Sequence, residues 1–458
     1  MSPSPDDAGP PVQSEDETQD LKPASAIPFY RPRGEMDCTR AFRRDPINTF
    51  MEGYTTLGPI FRCRFVGREV IAMGGVEANV LIWSRNELWD YHRTNAHFRE
   101  QFDASYLNQL EGDAFKKKRR RTAEGFKPRI LMSQTASMSK VFYDEVESVI
   151  DRPVELRLFC MRLIICMTGR VLMQADLPPG MDRTMAISNR DMLRAPTLGK
   201  WRHLFYWKPM RLWRRHRIFS FLGGLLDERE KGTADAKEDI LSRILAAHPE
   251  SEPPIARQEL VYDLSQLFMA GSTTTSQLIL WTLMFLHENP AWLAELREEL
   301  KDWDPFNFTA MSPYPKLRAT MLEVERLRPP GANALRISAQ PFSFKNYLVP
   351  KGSRVLHLHS LCHYLPEIYE DPLAFRPSRF LDSSPSRNVH GIFSGGAHGC
   401  AGQALVRILS PLLVANLITR YDLEFKVPVS LLPKVDVVTT PVGKRIWARL
   451  VPLRNRPA

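Results

Sequence analysis

The chain has 458 residues, of which 43% are hydrophobic and 25% charged, with a formal net charge of +10. Its apolar content is ample for a large buried core. The six cysteines (Cys38, Cys63, Cys160, Cys166, Cys362, Cys400) form no C-x-x-C pair and no short regular spacing. This argues against a zinc site or a disulfide framework and fits a reducing, cytoplasmic compartment. No apolar run reaches the roughly 18 residues of a membrane span, so no transmembrane anchor is expected. The excess positive charge suits an acidic partner, an anionic surface or nucleic acid, or a merely solvated surface.

The first stretch, MSPSPDDAGPPVQSEDETQD, is acidic and rich in Pro and Ser, the opposite of a signal peptide. Residues 1–26 therefore read as a disordered tail, with order beginning at Ile27. Residues 59–73 read as a β-hairpin, IFRCRFV and EVIAM around a turn at Gly67-Arg68. Helical periodicity then predominates to about Leu300, with helices predicted over 113–122, 136–149, 155–175, 236–247, 257–288 and 290–302. The longest has an apolar middle (LILWTLMFL) and should run through the core. A further helix over 315–327 stops at Pro329-Pro330. Short strands follow (ALRISA, FKNYLV, RVLHLHS), then a helix over 402–421 and closing strand-like pieces. Length alone would suggest about three domains. The motifs below are scattered over most of the chain and must meet in one fold, so 27–458 is read as a single domain. The fold class is mainly α with small β-sheets (α+β).

Two basic stretches stand out. Lys116–Arg121 is KKKRRR, six consecutive cations. It reads either as a solvated helix face or as a docking surface. Nucleic acid is the weaker reading, because a helix spreads these charges around its axis and no recognition motif accompanies them. Residues 200–217, KWRHLFYWKPMRLWRRHR, interleave aromatics with cations. They read as an interface-seeking segment or as ordinary amphipathic helices with core-facing aromatics.

The strongest chemical signal is FSGGAHGCAG, Phe393 to Gly402, directly before an apolar helix. A thiolate ligand needs backbone N–H groups aimed at its sulfur, and glycines such as Gly396 and Gly402 allow that approach. A helix starting just after Cys400 adds its positive end, which favours the thiolate. Phe393 is placed to pack on the loop.

This F-x-x-G-x-H-x-C-x-G loop resembles that of the cytochrome P-450 superfamily, over roughly residue 40 to the C-terminus. The resemblance implies haem b with Cys400 as axial iron ligand. Thiolate ligation pushes electron density onto iron and favours O–O cleavage. It also implies a monooxygenase that takes O2 and electrons from an acidic partner (ferredoxin, flavodoxin or reductase) docking near Lys116–Arg121, and a monomeric, soluble enzyme. Glu323-Val-Glu-Arg326-Leu-Arg-Pro-Pro resembles the family's E-x-x-R helix. Glu325 and Arg328 fit the same spacing; Glu323/Arg326 is preferred because Leu-x-Pro-Pro follows its arginine. EDPLAFRPSRF resembles the segment that adds Arg379 to this structural network. Met269-Ala270-Gly271-Ser272-Thr273-Thr274 resembles the oxygen-activating motif, with Thr274 as the proton-delivering threonine and Gly271 and Ala270 beside it. Thr273 stands where the family has an acid, which leaves isomerase, dehydratase, coupling or peroxygenase chemistry open, as well as a non-enzymatic haem sensor. Haem propionates would be held by Arg336, His398 and Arg119. Phe115 stands where a Trp or His is usual, and Lys116 or Arg120 are substitutes for the lost contact. Pocket walls by position are Phe268, Met269, Ala270, Ala332, Asn333, Ala334 and Thr440. They are small or apolar, which suits a lipid, terpenoid, sterol-like or polyketide substrate.

Overall fold

A computed structural model describes residues 21–100, 102, 105–194, 202–230, 239–249, 251–426 and 445–453. Order reaches back before Ile27: Lys22 bridges to Tyr347, and Ala24–Ala26 form a helical turn.

Helices α1 (Cys38–Arg44) and α2 (Pro46–Leu57) are each capped by an aspartate. Asp37 and Asp45 accept from the N–H groups of Thr39 and Asn48 and so satisfy otherwise orphaned donors. Strands β1 (Ile60–Phe65) and β2 (Arg68–Gly74) form the expected hairpin. Its turn is Val66-Gly67, one residue earlier than expected, with φ of 51° and 70°. Paired positive φ matches the right-handed twist of the strands. Val66 is held in this unfavourable region by its N–H to Thr39 Oγ1 (2.6 Å), and Gly67 N–H donates to Asp37 Oδ2 (2.9 Å).

Next come α3 (Val76–Ser84), α4 (Tyr91–Thr94), α5 (Gly112–Glu124), α6 (Pro128–Ser133) and α7 (Thr135–Glu147). The short β3 (Val154–Glu155) leads into α8 (Leu156–Met167). The predicted helix over 155–175 continues past Met167 only as a π-helical turn, Thr168–Leu172. There Thr168 Oγ1 back-bonds to the Ile164 carbonyl and Gly169 weakens the regular helix. Helices α9 (Met181–Arg194), α10 (Arg202–Tyr206) and α11 (Pro209–Glu230) follow. Asp239 caps α12 (Ile240–Ala246) by accepting the Ser242 N–H, and positions 236–238 of the predicted helix lie outside the described residues. The 32-residue α13 (Arg257–Glu288) is succeeded by α14 (Pro290–Glu299) and α15 (Pro315–Leu327). Strands β4 (Ala334–Ile337), β5 (Phe342–Phe344), β6 (Tyr347–Val349) and β7 (Arg354–Leu358), helix α16 (Gln403–Ile418), β8 (Tyr421–Phe425) and β9 (Trp447–Pro452) complete the described chain.

The described residues fall into two compact units, bounded by the ranges that contain them. One is drawn from 1–96, 331–374 and 385–400. Its sheet has the order β1-β2-β7-β4, with β2 and β7 parallel and Ile71 opposite Val355. Ile71, Met73, Ile82 and Val355 belong to its core. The other unit is drawn from 97–330, 375–384 and 401–458. Here α13 runs through the core against α8, α11 and α16, because its central turns are apolar on every side. Strands β3, β9 and β8 form a small antiparallel sheet at its edge. Among the described residues, no helix is long and apolar enough to cross a membrane.

Candidate active site

Five of the six cysteines are buried, and Cys400 is exposed. Burial pushes the thiols of Cys160, Cys166 and Cys362 up to about 12, so they stay protonated and are poor metal ligands. Cys400 closes a loop whose conformation is fixed by its own backbone: its N–H donates to the Phe393 carbonyl at 2.8 Å, and Gly399 N–H donates to Gly396 O at 3.2 Å. Gly396 has φ +67°, and a side chain there would meet the Trp83 carbonyl oxygen at 2.2 Å. Gly391 and Gly395 are closed to any Cβ by the Trp83 indole, at 2.1 and 2.4 Å. At these three positions, then, the close neighbour that requires glycine is Trp83, a residue that sequence reading did not flag.

Beside this loop, His398 stacks on Tyr91 with ring centroids 3.5 Å apart and planes 11° from parallel. Arg336, on β4, sits 5.4 Å from the centre of the same Tyr91 ring. Burial lowers the pKa of the Arg336 guanidinium. Arg336 Nε and Trp83 Nε1 are buried with no hydrogen-bond acceptor among the described residues. Buried N–H groups without acceptors are costly. An anionic oxygen from a bound group would satisfy them, and a haem propionate has that chemistry. The exposed thiol, the glycine-tight loop and these donors fit a haem with a cysteine ligand.

In the second unit, α13 presents Ala270 and Thr274 one turn apart on an accessible face, with Gly271 half-buried beside them. Thr274 Oγ1 donates to the Ala270 carbonyl at 2.8 Å. Thr273 points the other way: it is buried, and its hydroxyl has no partner among the described residues. Phe268 and Met269 are buried in apolar clusters. Ala332, Asn333 and Ala334, in the first unit, are half-buried, and Thr440 lies outside the described residues. Gly402 precedes α16 and accepts the Val406 N–H at 3.0 Å.

On α15, Arg326 Nε and Nη2 donate to the two oxygens of Glu323, both at 2.8 Å, with neither side chain exposed. Arg379 Nε reaches Glu323 at 3.3 Å, and the Arg376 N–H donates to Glu323 Oε1 at 2.9 Å. The other pair with E-x-x-R spacing is engaged elsewhere. Glu325 is buried 3.9 Å from Arg407 of α16, and Arg328 lies over the Trp281 ring at 4.9 Å. Burial pushes the Glu325 carboxyl up to about 7, against the opposing pull of Arg407.

The basic run on α5 does not present one cationic face. Lys118 is buried, with Nζ 2.7 Å from Asp263 and 3.1 Å from Glu259, and Arg121 Nη2 is 3.2 Å from Glu259. Residues 118 and 121 share a face of α5, and 259 and 263 share one of α13, so the two faces neutralise each other. Burial raises the Asp263 carboxyl to about 6, against the pull of Lys118. Lys116, Lys117 and Arg120 are exposed; Lys117 pairs with Glu252 at 2.6 Å, and Arg119 is half-buried. Phe115 is buried.

A family profile described as Cytochrome P450 matches residues 39–446. Among curated relatives, the beta-amyrin 16-beta-monooxygenase of Platycodon grandiflorus is 28% identical over 262 residues, 52% of each chain. The chain thus matches only about half the length of that relative. Putative cytochrome P450 120 of a Synechocystis strain is 25% identical over 400 residues, 84% of this chain and 87% of the relative. The solved structure of retinoic acid-bound cyanobacterial CYP120A1 superposes with a TM-score of 0.78 at 22% identity, covering 91% of this chain and 96% of that one. A zebra fish cytochrome P450 with abiraterone gives 0.74 at 19% identity, covering 90% and 100%. With the profile spanning most of its length and the fold shared with both structures, the chain belongs to the cytochrome P450 family, whose members carry haem with a cysteine thiolate as axial ligand.

Proposed function

We propose that the protein is a monooxygenase that inserts one oxygen atom of O2 into a C–H bond of a lipophilic substrate and reduces the other to water with two electrons and two protons. The observation that carries this reading is Cys400, the one exposed thiol of six, held in a loop that only glycines can form. Haem ligated by Cys400 supplies thiolate-assisted cleavage of the O–O bond. In this reading Arg336, His398 and Arg119 are the residues that bind its propionates. Glu323, Arg326 and Arg379 do no chemistry in this reading; their buried pairing keeps the segment at 375–380 fixed against α15. Thr274 holds an exchangeable proton at Oγ1, and the Ala270 carbonyl orients that hydroxyl. A lipophilic substrate agrees with the relative named for beta-amyrin and the structure named for retinoic acid.

Electrons would come from an acidic partner protein docking on Lys116, Lys117 and Arg120, the exposed members of the basic run, by charge complementarity. Six free thiols agree with a reducing, cytoplasmic setting. The test is turnover of a lipophile library under 18O2 with a ferredoxin and reductase. One labelled oxygen per product molecule supports the proposal. Product that forms without label contradicts it.

A second reading is favoured by Thr273, whose buried hydroxyl stands where an acid is usual and lacks a partner among the described residues. It is a haem-thiolate enzyme that uses peroxide or rearranges its substrate. Turnover with hydrogen peroxide exceeding that with the reductase system would establish it.

A further inference from the structure

Within the second unit, α9, α10, α11 and α13 enclose a cavity of about 280 Å3. Its wall joins aromatic and aliphatic side chains, including Phe102, Ile218 and Phe219, with polar ones such as Ser188 and Asn189, and the exposed Trp207 and Leu212 also line it. The charged and titratable groups of its lining are Arg211, Arg215, His203 and Tyr206; among the described residues no carboxylate lines it. An apolar pocket with a few convergent polar groups is the ordinary form of a small-molecule site. What sets this one apart is the sign of its charge.

Arg211 is the informative residue. Its side chain is only 9% exposed, and its nearest acid is Asp191, with Nε 4.0 Å from Oδ2. That carboxylate is shared with Arg214 at 3.3 Å and Arg190 at 3.4 Å, so one anion serves three guanidinium groups. Arg211 Nη1 is buried and has no hydrogen-bond acceptor among the described residues. The Phe205 and Tyr206 rings lie 4.2 and 5.0 Å from its guanidinium and hold it in place. Desolvation lowers its pKa, the expected sign for a cation held without a full complement of anions. Arg215 stands one turn further along α11, its guanidinium 4.8 Å over the Phe219 ring. A largely buried cation that lines a partly apolar cavity, and that is short of both anions and acceptors among the described residues, calls for an anionic group on an otherwise apolar molecule.

We propose that this cavity binds a carboxylate-bearing lipophile, with Arg211 taking the carboxylate and the Phe102, Ile218 and Phe219 wall taking the hydrocarbon. This rests on the reading of the protein as an enzyme acting on lipophiles and narrows its substrate class to amphipathic acids. Neutral lipophiles of the same length leave the guanidinium unsatisfied, and amines place two cations together.

The test uses the haem-loaded full chain in its resting state, with dodecanoate, dodecan-1-ol and dodecylamine as probes and affinity read by calorimetry. Dodecanoate is expected to bind at least tenfold more tightly than the alcohol, with the amine weakest. Arg211→Gln should weaken dodecanoate by about ten- to hundredfold, the loss expected of a charged hydrogen bond, while leaving dodecan-1-ol unchanged. Its melting temperature and reduced carbon monoxide spectrum check that the variant is folded. Equal affinity of the wild-type protein for acid and alcohol overturns the proposal, whatever the variant does. Because binding is read without electrons or turnover, the two readings fail separately. Acid selectivity without 18O incorporation refutes only the monooxygenase reading, and 18O incorporation without acid selectivity refutes only this one.

Discussion

Arg326 grips Glu323 through two hydrogen bonds of 2.8 Å, and neither side chain has any exposed surface. Glu323 also receives the Arg379 guanidinium and the Arg376 N–H. Its carboxylate therefore joins one turn of α15 to the segment at 375–380. Removing Arg326 strands part of that charge in a low-dielectric interior. Arg326→Ala should lose about 3–5 kcal/mol of stability and yield haem-poor protein. Urea denaturation with haem quantification checks this; unchanged melting and full haem content would show that the pair is dispensable.

The α5–α13 contact makes an analogous prediction. Lys118 is the buried cation of the basic run and faces both Glu259 and Asp263. Lys118→Met should destabilise the protein by about 2–4 kcal/mol, the lower end applying where Asp263 escapes its charge by protonating. Lys117→Met, at an exposed position, should leave melting unaltered but slow reduction by an acidic partner, and the slowing should fade at high salt. Stopped-flow reduction at two ionic strengths separates the two roles.

Glu325 gives a pH dependence of definite sign. Its carboxyl is raised from 4.5 to about 7 in the folded protein, chiefly by burial. A raised carboxyl contributes its stability fully at acid pH, and that contribution is lost as pH rises through about 7. Glu325→Gln removes this loss. It should therefore stabilise the protein at pH 8 by up to about 3 kcal/mol and have little effect at pH 4. Equal effects of the substitution at both pH values would place the charged form in a favourable environment instead.

Much of this was legible in the sequence because the information was local. The haem loop, the E-x-x-R spacing and the apolar middle of α13 each depend on residues a few positions apart. What escaped was set by partners distant in the chain. Trp83 lies more than 300 positions from the glycines it requires, and no local pattern marks it. The inward turn of Lys118 depends on acids about 140 positions away, so nothing local to the run of six cations, read as a solvated face or a docking surface, marked one of them as buried. The turn at Val66-Gly67 depends on Asp37 and Thr39, which hold a β-branched residue at positive φ that local propensity disfavours. Between 200 and 217, aromatics alternate with cations and blur the period. Structure sorts them: Tyr206 is buried, while Leu204, Trp207, Met210 and Trp213 are exposed.

Among the described residues Thr274 Oγ1 donates only to the Ala270 carbonyl, a bond a helix readily forgoes, so Thr274→Ala should fold normally. If its hydroxyl delivers protons, peroxide release should rise and product per electron fall. The drop should stay within the roughly 10²–10⁴-fold attributable to a positioned proton donor. Simultaneous assay of electron consumption, peroxide and product decides it; unchanged coupling would remove Thr274 from the mechanism and favour the peroxide-driven or rearranging reading.

The central claim is that Cys400 is the iron ligand, and the most direct measurement is the carbon monoxide difference spectrum of the reduced protein. The wild-type chain and the buried-thiol variants Cys160→Ala and Cys362→Ala should all give the thiolate-type spectrum. Cys400→Ala should lose it together with tight haem binding. A Cys400→Ala protein that keeps both haem and the thiolate-type spectrum would contradict the account at its foundation.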